Sequence, residues 1–109
     1  MYYPHGDRGP VGFFFDHLAQ TRPKALARLV LDVEILGAEG LQSQQISVRS
    51  LGEKLWELRR LYDGMQYRVF FVVAKGSVWL LHAIEKKSAK APRQDLDLAR
   101  RRLKEVTAR

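Results

Sequence analysis

Two turn dipeptides, Asp63-Gly64 and Lys75-Gly76, separate three strand-like runs, Leu55 to Arg60, Tyr67 to Ala74 and Ser77 to Ile84. The runs are rich in aromatic and β-branched residues, which suit a pleated surface, and the dipeptides tolerate the positive φ of a two-residue hairpin loop. Three strands joined this way make an antiparallel meander, so the chain is restricted to folds built on such a sheet. Ile46 to Leu51 is a further strand candidate.

The N-terminal third has helical periodicity. Tyr2 and Tyr3 read as the end of a short strand, followed by a turn through Pro4, Gly6 and Gly9. Pro10 suits the first turn of a helix whose Val11, Phe14, Phe15 and Leu18 share one face. Thr21 is the expected cap of a second helix, with Pro23 in its first turn and Leu26, Leu29, Val30, Val33 and Leu36 as its apolar stripe. Gly37 or Gly40 ends it. After Pro92, Arg93 to Val106 predicts a basic amphipathic helix with Leu96, Ala99, Leu103 and Val106 on a narrow stripe. The expected fold is α+β: one domain over 1–109, two N-terminal helices packed on an antiparallel sheet, and a C-terminal helix over its second face near Phe70, Val72 and Trp79.

If both turns are two-residue loops, Arg59 lies opposite Arg68, Leu58 opposite Val69, Phe70 opposite Leu81, and Arg68 opposite Ala83. Alternation then puts Trp56, Leu58, Val69, Phe71, Val73, Val78, Leu80, His82 and Ile84 on the helix-covered face. The other face gathers Glu57, Arg59 and Arg68 at one end, where Lys86 and Lys87 leave the last strand. Five ionic groups converge there, a cluster suited to a phosphodiester.

Composition narrows the remaining choices. With 109 residues there is room for one core, and no cysteine is present to form a disulfide or thiolate metal site. No apolar run reaches the roughly 20 residues that span a bilayer, and the start lacks an apolar signal core, so the cytoplasm is the expected compartment and no membrane partner is expected. The net charge of +7 is concentrated at the end: residues 86–109 hold nine Lys or Arg against three acids. Such a tail attracts polyanions without reading sequence, and it equally suits an acidic protein.

The segments PVGFFFDHL, LGEKLWELRR, YRVFFVVAKGSVWLLHAIEKKSAKAP and ARRRLKEV together resemble the RelE-type toxins of bacterial toxin–antitoxin modules, specifically their phage-derived, HigB-like branch. The resemblance spans nearly the whole chain. It implies an endoribonuclease that cuts messenger RNA, commonly on the ribosome, with no metal or organic cofactor. The implied partner is a cognate antitoxin with a helix-turn-helix, so that DNA is contacted only indirectly, through the complex.

Carried over by position, Arg68 corresponds to the family's arginine for the scissile phosphate. Arg59 and the Lys86–Lys87 pair match surrounding basic positions, and Glu57 matches a frequent acid. Arg68, Glu57, Lys86 and Lys87 are therefore the catalytic candidates, with Arg59, Arg60, Lys90 and Arg93 holding RNA nearby. Some relatives use a tyrosine or histidine near the last helix; this chain has neither after His82, which leaves the general acid unassigned.

Blander readings stand beside these roles. Glu57 and Arg59 also fit an ordinary ion network with Arg68, and His82 on the core face fits a packed histidine. His5 and His17 have no ligand spacing with it. Trp79 fits helix packing better than base stacking, and the terminal arginine run reads as a solvated face. A catalytically weak RNA- or ribosome-binding module of the same fold is the alternative to a nuclease. A basic surface built mainly for an acidic partner is the third possibility.

Overall fold

The computed structural model describes residues 1–6, 8–87 and 92–108. Helices α1 (Gly9–Thr21) and α2 (Pro23–Glu39) precede strands β1 (Ser47–Gly52), β2 (Leu55–Tyr62), β3 (Met65–Ala74) and β4 (Ser77–Lys86), and helix α3 (Arg93–Thr107) follows. The strands form one antiparallel sheet in the order β1-β2-β3-β4. This is the expected α+β arrangement. The N-terminal residues add a stub along the outer edge of β4: Leu80 N–H donates to the Met1 carbonyl and Tyr3 N–H to the Leu80 carbonyl.

Both expected hairpin turns are present, with positive φ at Asp63, Gly64, Lys75 and Gly76. A third two-residue loop, Glu53-Lys54, joins β1 to β2 with φ of 54° and 72° although neither residue is glycine. Left-handed backbone costs an L-residue roughly 1–2 kcal/mol. Replacing Glu53-Lys54 by Asn-Gly is expected to raise the unfolding free energy by about 1 kcal/mol in a denaturant titration; an unchanged midpoint would contradict this.

Thr21 does not cap α2. Helix α1 runs through it, and its hydroxyl donates back to the His17 carbonyl at 2.9 Å. Arg22 is the junction, and α2 ends at Gly40, whose φ of 83° suits glycine.

The first sheet face carries Leu58, Val69, Phe71, Leu80 and the partly buried Trp56, packed on Leu18, Leu29, Phe14 and Val33. Tyr67 belongs to this core as well, paired in register with Glu85. Burial, and then the Glu85 charge, push its phenol above the ordinary value. The unfolded phenol therefore ionises first, near pH 10, and stability is lost as pH rises from there through the folded value. Tyr67→Phe is expected to flatten that alkaline loss; an identical pH profile for both proteins would count against it.

The second face carries Leu55, Phe70, Val72, Trp79, Leu81 and Ile84 beneath Ala99, Leu103 and Val106 of α3. Two placements here differ from strict alternation. The β3–β4 register shifts between Phe70 and Phe71: Phe71 pairs with Leu80, but Phe70 pairs with His82 and Arg68 with Ile84. Leu81 is the extra residue of a β-bulge, so His82 and Ile84 lie on the second face and small Ala83 faces the helices.

Candidate functional site

Register places the candidate residues in rows across the second face. Arg49, Glu57, Phe70 and His82 form one row, and Ser47, Arg59, Arg68 and Ile84 the next. Beyond them come Leu61, Gln66 and Lys86. Adjacent strands lie about 4.8 Å apart, so the charged side chains of the first two rows reach one another without any loop having to order.

Glu57 is the centre of the cluster. It is 1% exposed, as is Arg68. Arg68 Nη1 donates to Glu57 Oε2 at 2.7 Å. Arg59 Nε and Arg49 Nη2 stand 3.5 and 3.7 Å from Oε1, within ion-pair range but too far to hydrogen-bond well. Three guanidinium groups thus share one carboxylate, leaving the cluster net positive. Arg68 also keeps its Nε and Nη2 donors without an acceptor among the described residues. A buried donor left unmade costs about 1–3 kcal/mol, so the arrangement favours an incoming anion with several oxygens. The exposed flank of the cluster, through which such an anion would come, is formed by Arg49 and Arg59, 58% and 30% exposed.

The remaining candidates divide. Lys86 lies on the same face, one row past Arg68, and exposed Lys87 follows it. Arg93 is exposed at the start of α3, while Lys90 lies outside the described residues. Arg60 is not brought to the cluster. It alternates to the helix side, where Nε and Nη2 bind both oxygens of buried Asp32 at 2.7 and 2.6 Å. That hydrogen bond is the main reason its pKa is raised above the usual arginine value.

Three features escape pattern reading. Arg49 joins the cluster because β1 pairs with β2, a pairing hidden by a turn with no glycine dipeptide. His82 stacks on Phe70, with ring centroids 6.0 Å apart, and shares a 2.7 Å hydrogen bond with Asp95 of α3. The terminal arginines are only in part a solvated face: Arg100 donates to the Leu51 and Gly52 carbonyls, and Arg102 to the Leu81 carbonyl, stapling α3 to the sheet. Burial, the leading influence on Arg102, lowers its pKa.

The second face therefore holds a buried cationic cradle, edged by the more exposed Arg49 and Arg59, with Lys86 one row beyond. Among the described residues no group of three or more His, Asp or Glu side chains converges as a metal site, and no helix is long and apolar enough to cross a membrane. The profile described as Phage derived protein Gp49-like (DUF891) matches residues 16–104, well over half of the chain and every strand of the cradle. The chain belongs to the phage-derived Gp49-like family. That family is part of the RelE/ParE toxin–antitoxin-like superfamily. No curated protein and no solved structure gives a significant match.

Proposed function

We propose that this Gp49-like protein is the toxin of a type II toxin–antitoxin module, in the HigB-like branch, and that it is an endoribonuclease acting on messenger RNA at the ribosome. One observation carries the reading: the buried Arg68, held by Glu57 and flanked by Arg49 and Arg59, retains two N–H donors for an anion. RNA cleaves when a 2′-hydroxyl attacks the adjacent phosphorus, and the developing charge on the phosphoryl oxygens needs fixed donors. The planar guanidinium of Arg68 can grip two oxygens at once. Glu57 beside it offers an acceptor for the hydroxyl proton, and Lys86 and Lys87 supply positive charge and donors toward the leaving group.

Controlled expression with mapping of RNA ends tests this. Growth arrest with new 5′ ends inside messenger coding regions is expected from the native chain and not from Arg68→Ala. Growth arrest without new ends would support the second reading, a binding module of the same fold that blocks the ribosome without cutting. The near-complete burial of Arg68 favours that alternative, because its unpaired Nε and Nη2 donors are closed off from solvent and must be uncovered before a phosphate can reach them.

The partner in this reading is a cognate antitoxin with a helix-turn-helix. The uneven charge of residues 86–109 gives the complex a strong electrostatic component. Its affinity is therefore expected to fall as salt rises from 0.05 to 0.5 M, since exposed charges are screened over about 10 Å at 0.1 M. A dissociation constant unchanged across that range would contradict an electrostatic interface.

A further inference from the structure

We propose that the cleft of about 490 Å³ beside Arg59, walled by Gln44, Ser47, Leu61 and Gln66, is a pocket for one nucleobase of single-stranded RNA. The inference rests on the RNA-cleaving reading above and adds the place where the base next to the held phosphate is read.

Gln66 lies two residues from Arg68 on β3, so it points to the same face roughly 7 Å away. Ser47 is opposite Arg59, and Leu61 is opposite Gln66. A nucleotide whose phosphate meets Arg59 and Arg68 would have this cleft within reach of its base. In the other direction the face is covered: α3 packs over Phe70, Val72 and Trp79, and Arg100 and Arg102 fasten it to backbone carbonyls. The strand pairing of β1 with β2 ends at Ser47–Arg59, so beside Leu61 the β2 strand has no neighbour on its β1 side and the cleft is open there to an entering base.

The walls combine an exposed apolar surface, Leu61 at 62%, with uncharged groups that both donate and accept, the amides of Gln44 and Gln66 and the hydroxyl of Ser47. That pairing suits a splayed base, whose flat face needs an apolar support and whose edge needs mixed donors and acceptors. Arg60 also lines the cleft, but its guanidinium is held by Asp32, leaving Arg59 as the charge available to the phosphate.

The wall is also braced. Glu39 at the end of α2 accepts from the Ser43 hydroxyl at 2.8 Å and from the Gln45 amide at 2.7 Å, which fixes the segment that carries Gln44.

The test uses four tetranucleotide RNAs that differ at one base and carry a 2′-methoxy block against cleavage, titrated into the full chain and followed by backbone amide shifts. Shifts at Ser47, Leu61 and Gln66 are expected, with one base bound about 10-fold or more above the weakest. The Gln44→Ala/Gln66→Ala chain, shown to be folded, is expected to reduce that ratio to about 2-fold or less while keeping weak, salt-sensitive binding. Absence of RNA binding, shifts confined to α3, or discrimination unchanged in the double variant would each overturn the pocket. Cleavage of programmed ribosomes, run in parallel, separates the two claims. Base discrimination that vanishes in the double variant, with no cleavage by the native chain, supports the pocket and removes the nuclease reading. Cleavage with a base profile indifferent to both substitutions does the reverse.

Discussion

Arg68→Ala is expected to abolish RNA cleavage and also to destabilise the fold by about 3–5 kcal/mol. The stability cost follows from burial. Removing the guanidinium leaves Glu57, 1% exposed, with its two remaining arginines no closer than 3.5 Å. The cost is that of an uncompensated buried carboxylate.

Activity and stability separate in a second variant. Replacing both partners, Glu57→Leu with Arg68→Met, removes the charges together, and such replacements are often neutral or stabilising. The double variant should melt near the native protein yet have no detectable cleavage. Arg68→Lys should keep the charge but lose the two-oxygen grip, which corresponds to about 100- to 1000-fold in rate, or 2.7–4 kcal/mol of transition-state stabilisation. Thermal melts and single-turnover cleavage on the same preparations check both statements. Native-rate cleavage by folded Arg68→Lys would remove Arg68 from the chemistry.

The second large effect is expected at Arg60, where it should fall on stability. Asp32 is 2% exposed and receives both of its hydrogen bonds from Arg60, which joins α2 to β2. Arg60→Ala should cost about 3 kcal/mol, the low end of the range for a broken buried pair, because the guanidinium side of this pair is partly open to water. For a domain of this size that is a fall of roughly 10–20 °C in melting temperature. Affinity for RNA at saturating folded protein should be almost unchanged. A stable Arg60→Ala chain with clearly weakened RNA binding would instead return Arg60 to the nucleic-acid surface.

Most of the scaffold was legible because local chemistry and hydrophobic period agreed. Asp63-Gly64 and Lys75-Gly76 fixed two hairpins, and the β2–β3 pairing of Arg59 with Arg68 follows from the first of them. The apolar stripe of α3 likewise predicted the face that it covers. What alternation could not anticipate was the bulge at Leu81, since one inserted residue reverses every later side chain while leaving composition unchanged. That reversal carries His82 and Ile84 to the second face. Asp32 carried a visible sign, falling three residues after Leu29 and four before Leu36 on the buried stripe of α2. Its partner Arg60 is 28 residues away and becomes evident only in three dimensions. The Glu57–Arg68 pairing was foreseeable from register, but its depth was not, because the packing of α3 over the second face determines how much of that face is closed.

In the proposed reaction the arginine cradle holds a phosphate while the neighbouring 2′-hydroxyl attacks it. The most direct measurement uses purified protein and ribosomes programmed with a messenger whose mapped cleavage position carries either ribose or a single 2′-deoxyribose. Cleavage of the all-ribose messenger with a 2′,3′-cyclic phosphate on the upstream fragment is expected, and no cut at the 2′-deoxy position. Equal cleavage of both messengers, or no cleavage of either by protein that binds the ribosome, would contradict it.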